Sequence, residues 1–191
     1  MEIGVALNFT SALADALRIS NGRFLRGNVV NIEKMCYNPV RGDTMFFDDL
    51  KPGMTVDTAP AVIEKEKMLA FAHEYDFIPL HTDEDYAKST PFGQLIAPGV
   101  MSFMSVWAKY LEVDFFGQEL LAGKSTKIEW LKPVYAGDVL TGKVTVTNLV
   151  KRSNKNGIVE ISVDVYNQNG VLVLTNVTEA IVKCKLPDCE C

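Results

Sequence analysis

From Val100 to Phe116 the chain is apolar nearly all round, with Val100, Met101, Phe103, Met104, Val106, Trp107, Tyr110, Leu111 and Val113 spread over every side of a helix. A helix without a polar face has to be enclosed by the rest of its protein. Lys109, Glu112 and Asp114 make this one too polar, and its length too short, for a membrane span. The C-terminal part of the chain can supply the enclosure. Ser125 to Leu131 reads as a strand, and from Val139 to Val150 the residues Val144 and Val146 alternate with Thr145 and Thr147. In the next run Val159, Ile161, Val163 and Val165 oppose Glu160, Ser162, Asp164 and Tyr166, a period of two. Asn156-Gly157 and Asn169-Gly170 read as hairpin turns, and Val171 to Val182 completes the set. An enclosed helix beside an antiparallel sheet with one solvated face predicts an α+β architecture in which the sheet curls around the helix.

The first half of the chain is less regular. Residues 5–19 carry an imperfect amphipathic pattern, and residues 20–45 read as loop with one strand near Val29-Val30-Asn31-Ile32, so residues 1–45 form an N-terminal extension. From Phe46 the signals sharpen: a turn to Gly53, a strand over Thr55 to Ile63, and a helix from Glu64 to Glu74 with His73 on its polar side. Thr82 is placed as the N-cap of a short helix over residues 83–88. With 191 residues, 48% of them hydrophobic, the chain suits one substantial core. That core is expected over residues 46–185, with a tail over 186–191.

A net charge of −5 argues against a nucleic-acid binder, which needs a surplus of Lys and Arg on one face. The N-terminal stretch lacks the basic region of a secretory signal, and no apolar run suits a membrane helix, so a cytoplasmic protein with no membrane partner is expected. Cys36, Cys184, Cys189 and Cys191 match no zinc spacing and read as reduced, unligated thiols, leaving no metal site.

The chemistry gathers in Tyr75-Asp76-Phe77-Ile78-Pro79-Leu80-His81-Thr82-Asp83. A carboxylate and an imidazole five residues apart, with a proline between them that forbids a regular helix, can be turned by a fixed loop toward one point. Such a pair suits acid/base work; it equally suits a structural hydrogen bond at the start of the following helix. Shortly after comes Pro98-Gly99, where the apolar helix begins and its unpaired amides can face an oxygen that gains negative charge. Together these pieces point to proton transfer beside a carbonyl.

These residues carry a resemblance. Asp76, Pro79, Leu80, His81 and Ala87 occupy the places of the signature of MaoC-like dehydratases, the hot-dog fold family that includes R-specific enoyl-CoA hydratases. Pro91-Phe92-Gly93, Ile96-Ala97 and Gly99 resemble a second family segment, and Leu131-Lys132-Pro133-Val134-Tyr135-Ala136-Gly137-Asp138 a third, so the likeness runs over roughly residues 46–183. The sequence departs from the pattern at Ile78 (family Asn), at Pro98 (often His) and at Trp107 (a serine in some hydratases).

The resemblance implies a hot-dog fold and a homodimer, with an acyl-CoA or acyl-carrier-protein thioester near the subunit interface. It implies no cofactor beyond the coenzyme A of the substrate. Asp76 and His81 would hold a water, and the Gly99 amide would stabilise the thioester oxygen. Pro79, Phe92, Ile96, Ala97 and Pro98 would contact the substrate. The expected reaction is hydration of a trans-2-enoyl thioester or its reverse. A thioesterase on the same fold and a non-catalytic acyl-CoA binder are the alternatives. Lys124, Lys127, Lys132, Arg152 and Lys155 are candidate partners for coenzyme A phosphates, with solvated surface the plainer role for each.

Overall fold

The computed structural model describes residues 45–185. The expected helix over residues 5–19, the strand near Val29, nearly all of the N-terminal extension, the tail over 186–191, and Cys36, Cys189 and Cys191 lie outside the described residues.

The expected strand from Thr55 to Ile63 is two strands, β1 (Thr55–Asp57) and β2 (Ala61–Val62). The break falls at Thr58-Ala59-Pro60, because a proline cannot donate to a ladder. Thr58 instead closes the gap with its side chain, whose hydroxyl accepts the Gly142 N–H at 2.9 Å. Three helices come next: α1 (Lys65–Tyr75), α2 (Pro79–Thr82) and α3 (Glu84–Ser89). Helix α2 corrects the expectation that Pro79 would forbid helix here. At the first position of a helix a proline loses no hydrogen bond, and its fixed φ suits the turn. The cap of α3 is also displaced by one residue. Asp83, not Thr82, accepts the amides of Asp85 and Tyr86, while the Thr82 hydroxyl donates back to the Ile78 carbonyl.

The apolar helix is α4 (Gly99–Val113), which ends at Asp114 in the left-handed conformation. Four long strands succeed it: β3 (Leu120–Trp130), β4 (Val139–Lys151), β5 (Asn156–Tyr166) and β6 (Leu172–Lys183). They form one antiparallel sheet in the order β1-β4-β5-β6-β3, with β2 also paired to β4. Asn156 and Gly157, expected in a turn, are instead the first rungs of β5, opposite Lys183 and Val182. The chain reverses at residues 152–155, where the Ser153 hydroxyl accepts the amides of Lys155 and Asn156. Asn169-Gly170 does turn, with Gly170 at φ 71° and the Asn167 side chain accepting two loop amides.

Alternation decides the core. Val144 and Val146 of β4, and Val159, Ile161, Val163 and Val165 of β5, are buried on the concave face with Phe103, Val106 and Tyr110 of α4. Burying each such side chain stabilises the fold by roughly 1.5–3 kcal/mol. The approach is close: a Cβ on Gly142 would stand 2.5 Å from Val106. The opposite side of α4 corrects the expectation of complete enclosure, since Val100, Met104 and Leu111 are about half exposed. The curled sheet reaches only one side of the helix. No helix of the described residues is long and apolar enough to cross a membrane.

Candidate active site

Asp76 ends α1 and His81 is the third residue of α2, so two short helices hold the pair. The link between them is tight. The Ile78 N–H donates to the Asp76 carbonyl at 2.8 Å, and the His81 N–H to the Ile78 carbonyl at 3.0 Å. The side chains converge, His81 Nε2 standing 3.5 Å from Asp76 Oδ2. The imidazole is buried, and its Nδ1 lies 2.8 Å from the Ile96 carbonyl oxygen. A carbonyl can only accept, so Nδ1 carries a hydrogen there, and Nε2 is the ring nitrogen that faces Asp76. Asp76 keeps over a third of its side chain exposed, so water has access to the pair.

Both residues line a cavity of about 460 Å³ whose wall also includes Phe92, Ile96, Ala97 and Gly99. Gly99 is the first residue of α4; Pro98 before it offers no side-chain cap, and the first intrahelical amide bond runs from Ser102 to Pro98. The amides of Gly99, Val100 and Met101 are thus the unpaired donors of a helix N-terminus at the cavity. The segment leading to Gly99 is pinned by the Ala97 N–H, which donates to Val134 at 2.7 Å, and by a bridge between Ile96 and Tyr135. Pro79 and Pro98 do not line the cavity. They act on the backbone, one starting α2 and the other preceding α4.

The departures from the family pattern have structural readings. Ile78 occupies the N-cap of α2 and is about half exposed, and it serves the loop through its backbone, whose N–H donates to Asp76 and whose carbonyl accepts from His81 and Thr82. Trp107 packs between Phe103 and Tyr110, with ring centroids at 5.5 and 5.1 Å, and lies off the cavity wall. Asp138 braces the loop before β4, accepting the Tyr135 amide and the Gln168 side chain. Among the candidate phosphate partners only Lys132 lines the cavity; Lys124 and Lys127 pair with Glu179 and Glu129. His73 is exposed beside Phe77.

Sequence reasoning did not single out several wall residues, Ser102, Trp130 and Leu174 among them. Ser102 is one helical turn beyond Gly99 and buried, a spacing that was there to be read. Trp130 and Leu174 face each other across β3 and β6, a pairing that no local pattern discloses. The Ile96 carbonyl that orients His81 is a backbone group, which carries no residue-type signal.

Residues 49–169 match the family model described as MaoC like domain. Over 140 residues the chain is 28% identical to the Bacillus subtilis protein YdeM, itself uncharacterized, covering 73% of this chain and 99% of that one. It is 34% identical over 106 residues to an (R)-specific enoyl-CoA hydratase of Rhodospirillum rubrum, covering 55% of this chain and 72% of that protein. Among solved structures, a MaoC-like dehydratase of Rhodospirillum rubrum superposes with a TM-score of 0.67 at 28% identity, over 75% of this chain and 99% of that one. The curled sheet and central helix are therefore a hot-dog fold.

Proposed function

The chain belongs to the MaoC-like domain family, and from that premise we propose that it is a hydro-lyase that adds water to a trans-2-enoyl thioester, or removes it from a 3-hydroxyacyl thioester. The observation that carries this reading is the convergence of Asp76, His81 and the start of α4 on one cavity. Asp76 orients a water, and His81 Nε2 accepts its proton as the oxygen bonds to C3. The C2=C3 electron pair moves toward the carbonyl, and the resulting enolate oxygen is met by the Gly99 N–H. His81 then returns the proton to C2, so one water has added across the double bond and the enzyme is restored. Dehydration is the same path reversed.

The acyl carrier is coenzyme A or an acyl carrier protein, and the presence of Lys132 in the cavity wall supports a cationic contact to its phosphate. No cofactor is needed beyond that carrier, so dialysis against a chelator should leave turnover unchanged. The working unit is a homodimer. The half-exposed Val100, Met104 and Leu111 of α4 and the open edge of β3 support it, because a long unpaired strand edge invites a second chain.

The test is a spectrophotometric assay with crotonyl-CoA and longer enoyl-CoAs, with chiral analysis of the product. Loss of the enoyl absorbance with formation of a single 3-hydroxyacyl enantiomer is expected. Release of free thiol instead would assign a thioesterase, and binding without turnover a non-catalytic receptor.

A further inference from the structure

Resting on that reading of the site, we propose that Asp138 is a positioning residue for the reaction: its carboxylate, off the cavity wall, fixes the turn that holds the Ile96 carbonyl against His81 and the chain entering α4.

Asp138 is buried at the end of the turn that leads into β4. Its Oδ2 accepts the Tyr135 N–H at 2.8 Å, and its Oδ1 accepts Gln168 Nε2, also at 2.8 Å. The Gln168 amide is itself oriented, because its Oε1 accepts the Val139 N–H at 3.1 Å. The backbone of the turn is fastened as well. The Ile63 N–H donates to the Asp138 carbonyl at 2.9 Å, and the Gly137 N–H to the Ile63 carbonyl at 2.8 Å. Hydrogen bonds to an ionised carboxylate are roughly twice as strong as neutral ones. Asp138 therefore joins residues 134–137, the chain after β2 and the hairpin after β5 into one body.

What this turn carries is the catalytic segment. Tyr135 bridges Ile96, and the Ala97 N–H donates to the Val134 carbonyl at 2.7 Å. The Ile96 carbonyl oxygen lies 2.8 Å from His81 Nδ1, and two residues past Ala97 stands Gly99, the first residue of α4. The helix start is packed against β3 in turn, since a Cβ on Gly99 would collide with the Trp130 ring.

A chain of contacts thus runs from the Asp138 carboxylate through Tyr135 and Ile96 to the imidazole. The hydrogen bond at one ring nitrogen sets which nitrogen is free to work at the other. If the turn loosens, the Ile96 carbonyl moves and His81 loses its orientation toward Asp76. Spatial continuity alone does not establish such coupling, so the test has to read His81 itself.

The chain has two histidines, His73 and His81. In a His73→Gln background, nitrogen NMR of histidine-labelled protein reads His81 alone. At about pH 8.5, above the ordinary histidine range, the ring should carry its hydrogen on Nδ1, and Asp138→Ala should show a mixture of the two tautomers. With crotonyl-CoA the same substitution should lower kcat on the order of tenfold to a hundredfold, with KM moved by less than about threefold. The double variant Asp138→Asn/Gln168→Glu reverses the polarity of the side-chain pair and keeps an acceptor for the Tyr135 and Val139 N–H groups. It should recover the tautomer, and kcat to within about threefold of the parent. Ile161→Ala, buried in β5 and off the cavity wall, is the control for lost stability and should move neither.

A parent-like kcat or an unmoved tautomer in folded Asp138→Ala overturns the proposal. So does an equal loss of kcat in Ile161→Ala, or a double variant no better than Asp138→Ala. If the parent protein hydrates no enoyl-CoA but the tautomer still changes in Asp138→Ala, the positioning role stands and the lyase reading falls. If Asp138→Ala does not fold, Asp138→Asn, whose amide opposes that of Gln168, replaces it and the same results decide.

Discussion

β5 and β3 are strands of equal length in one sheet, 11 residues each, and they are opposite in what they bury. Every second residue of β5 is buried, and the strand is paired on both sides. No residue of β3 is buried, and among the described residues it pairs only with β6. The difference separates two tasks. β5 closes the core over α4; β3 brings Trp130 to the cavity and carries an edge with no strand partner among the described residues. The two faces of α4 repeat the contrast, with Phe103, Val106 and Tyr110 inward and Val100, Met104 and Leu111 outward.

The contrast can be broken first from the side of the core. Ile161→Ala, at a fully buried rung of β5, should cost about 2–5 kcal/mol in chemical denaturation. A loss under about 0.5 kcal/mol, the size expected at a surface position, would remove the distinction. Met104→Glu, on the outward face of α4, should leave the protomer melting temperature nearly unchanged but weaken association at least about tenfold, or about 1.4 kcal/mol. Sedimentation velocity over a concentration series reads this. A dimer of unaltered affinity would place the interface elsewhere.

Two smaller effects sharpen the picture. Tyr110 is buried with its hydroxyl unpartnered among the described residues, and burial pushes its phenol above the usual range. The unfolded chain ionises that group near pH ~10, so above this pH it binds fewer protons than the native state and stability falls as pH rises. Tyr110→Phe should raise stability by about 1 kcal/mol at neutral pH and flatten the alkaline decline; a parallel decline in the variant would contradict the assignment. Ile78→Asn restores a side chain able to cap α2 and should add about 0.5–1 kcal/mol, read as a higher melting temperature.

Much of this arrangement was legible in the residues. The alternation at Val159, Ile161, Val163 and Val165 marks an inner face because one side of β5 meets α4 and the other meets solvent. β3 begins at Leu120, ahead of the expected Ser125, since a strand exposed on both faces has no alternation to announce it. Asp76 and His81 could be paired from their spacing, but α2 could not, because Pro79 signals either a break or a start and only the helix itself decides. The Trp130–Gly99 contact unites residues far apart in the chain, so no local window contains it.

The most direct measurement of the central claim is turnover of crotonyl-CoA by Asp76→Asn and His81→Ala, each first shown to be folded and of unaltered assembly. If the two side chains act together on one water, each variant should lose activity by roughly 10²-fold or more while still binding butyryl-CoA. Turnover within a few-fold of the parent in either variant would contradict it.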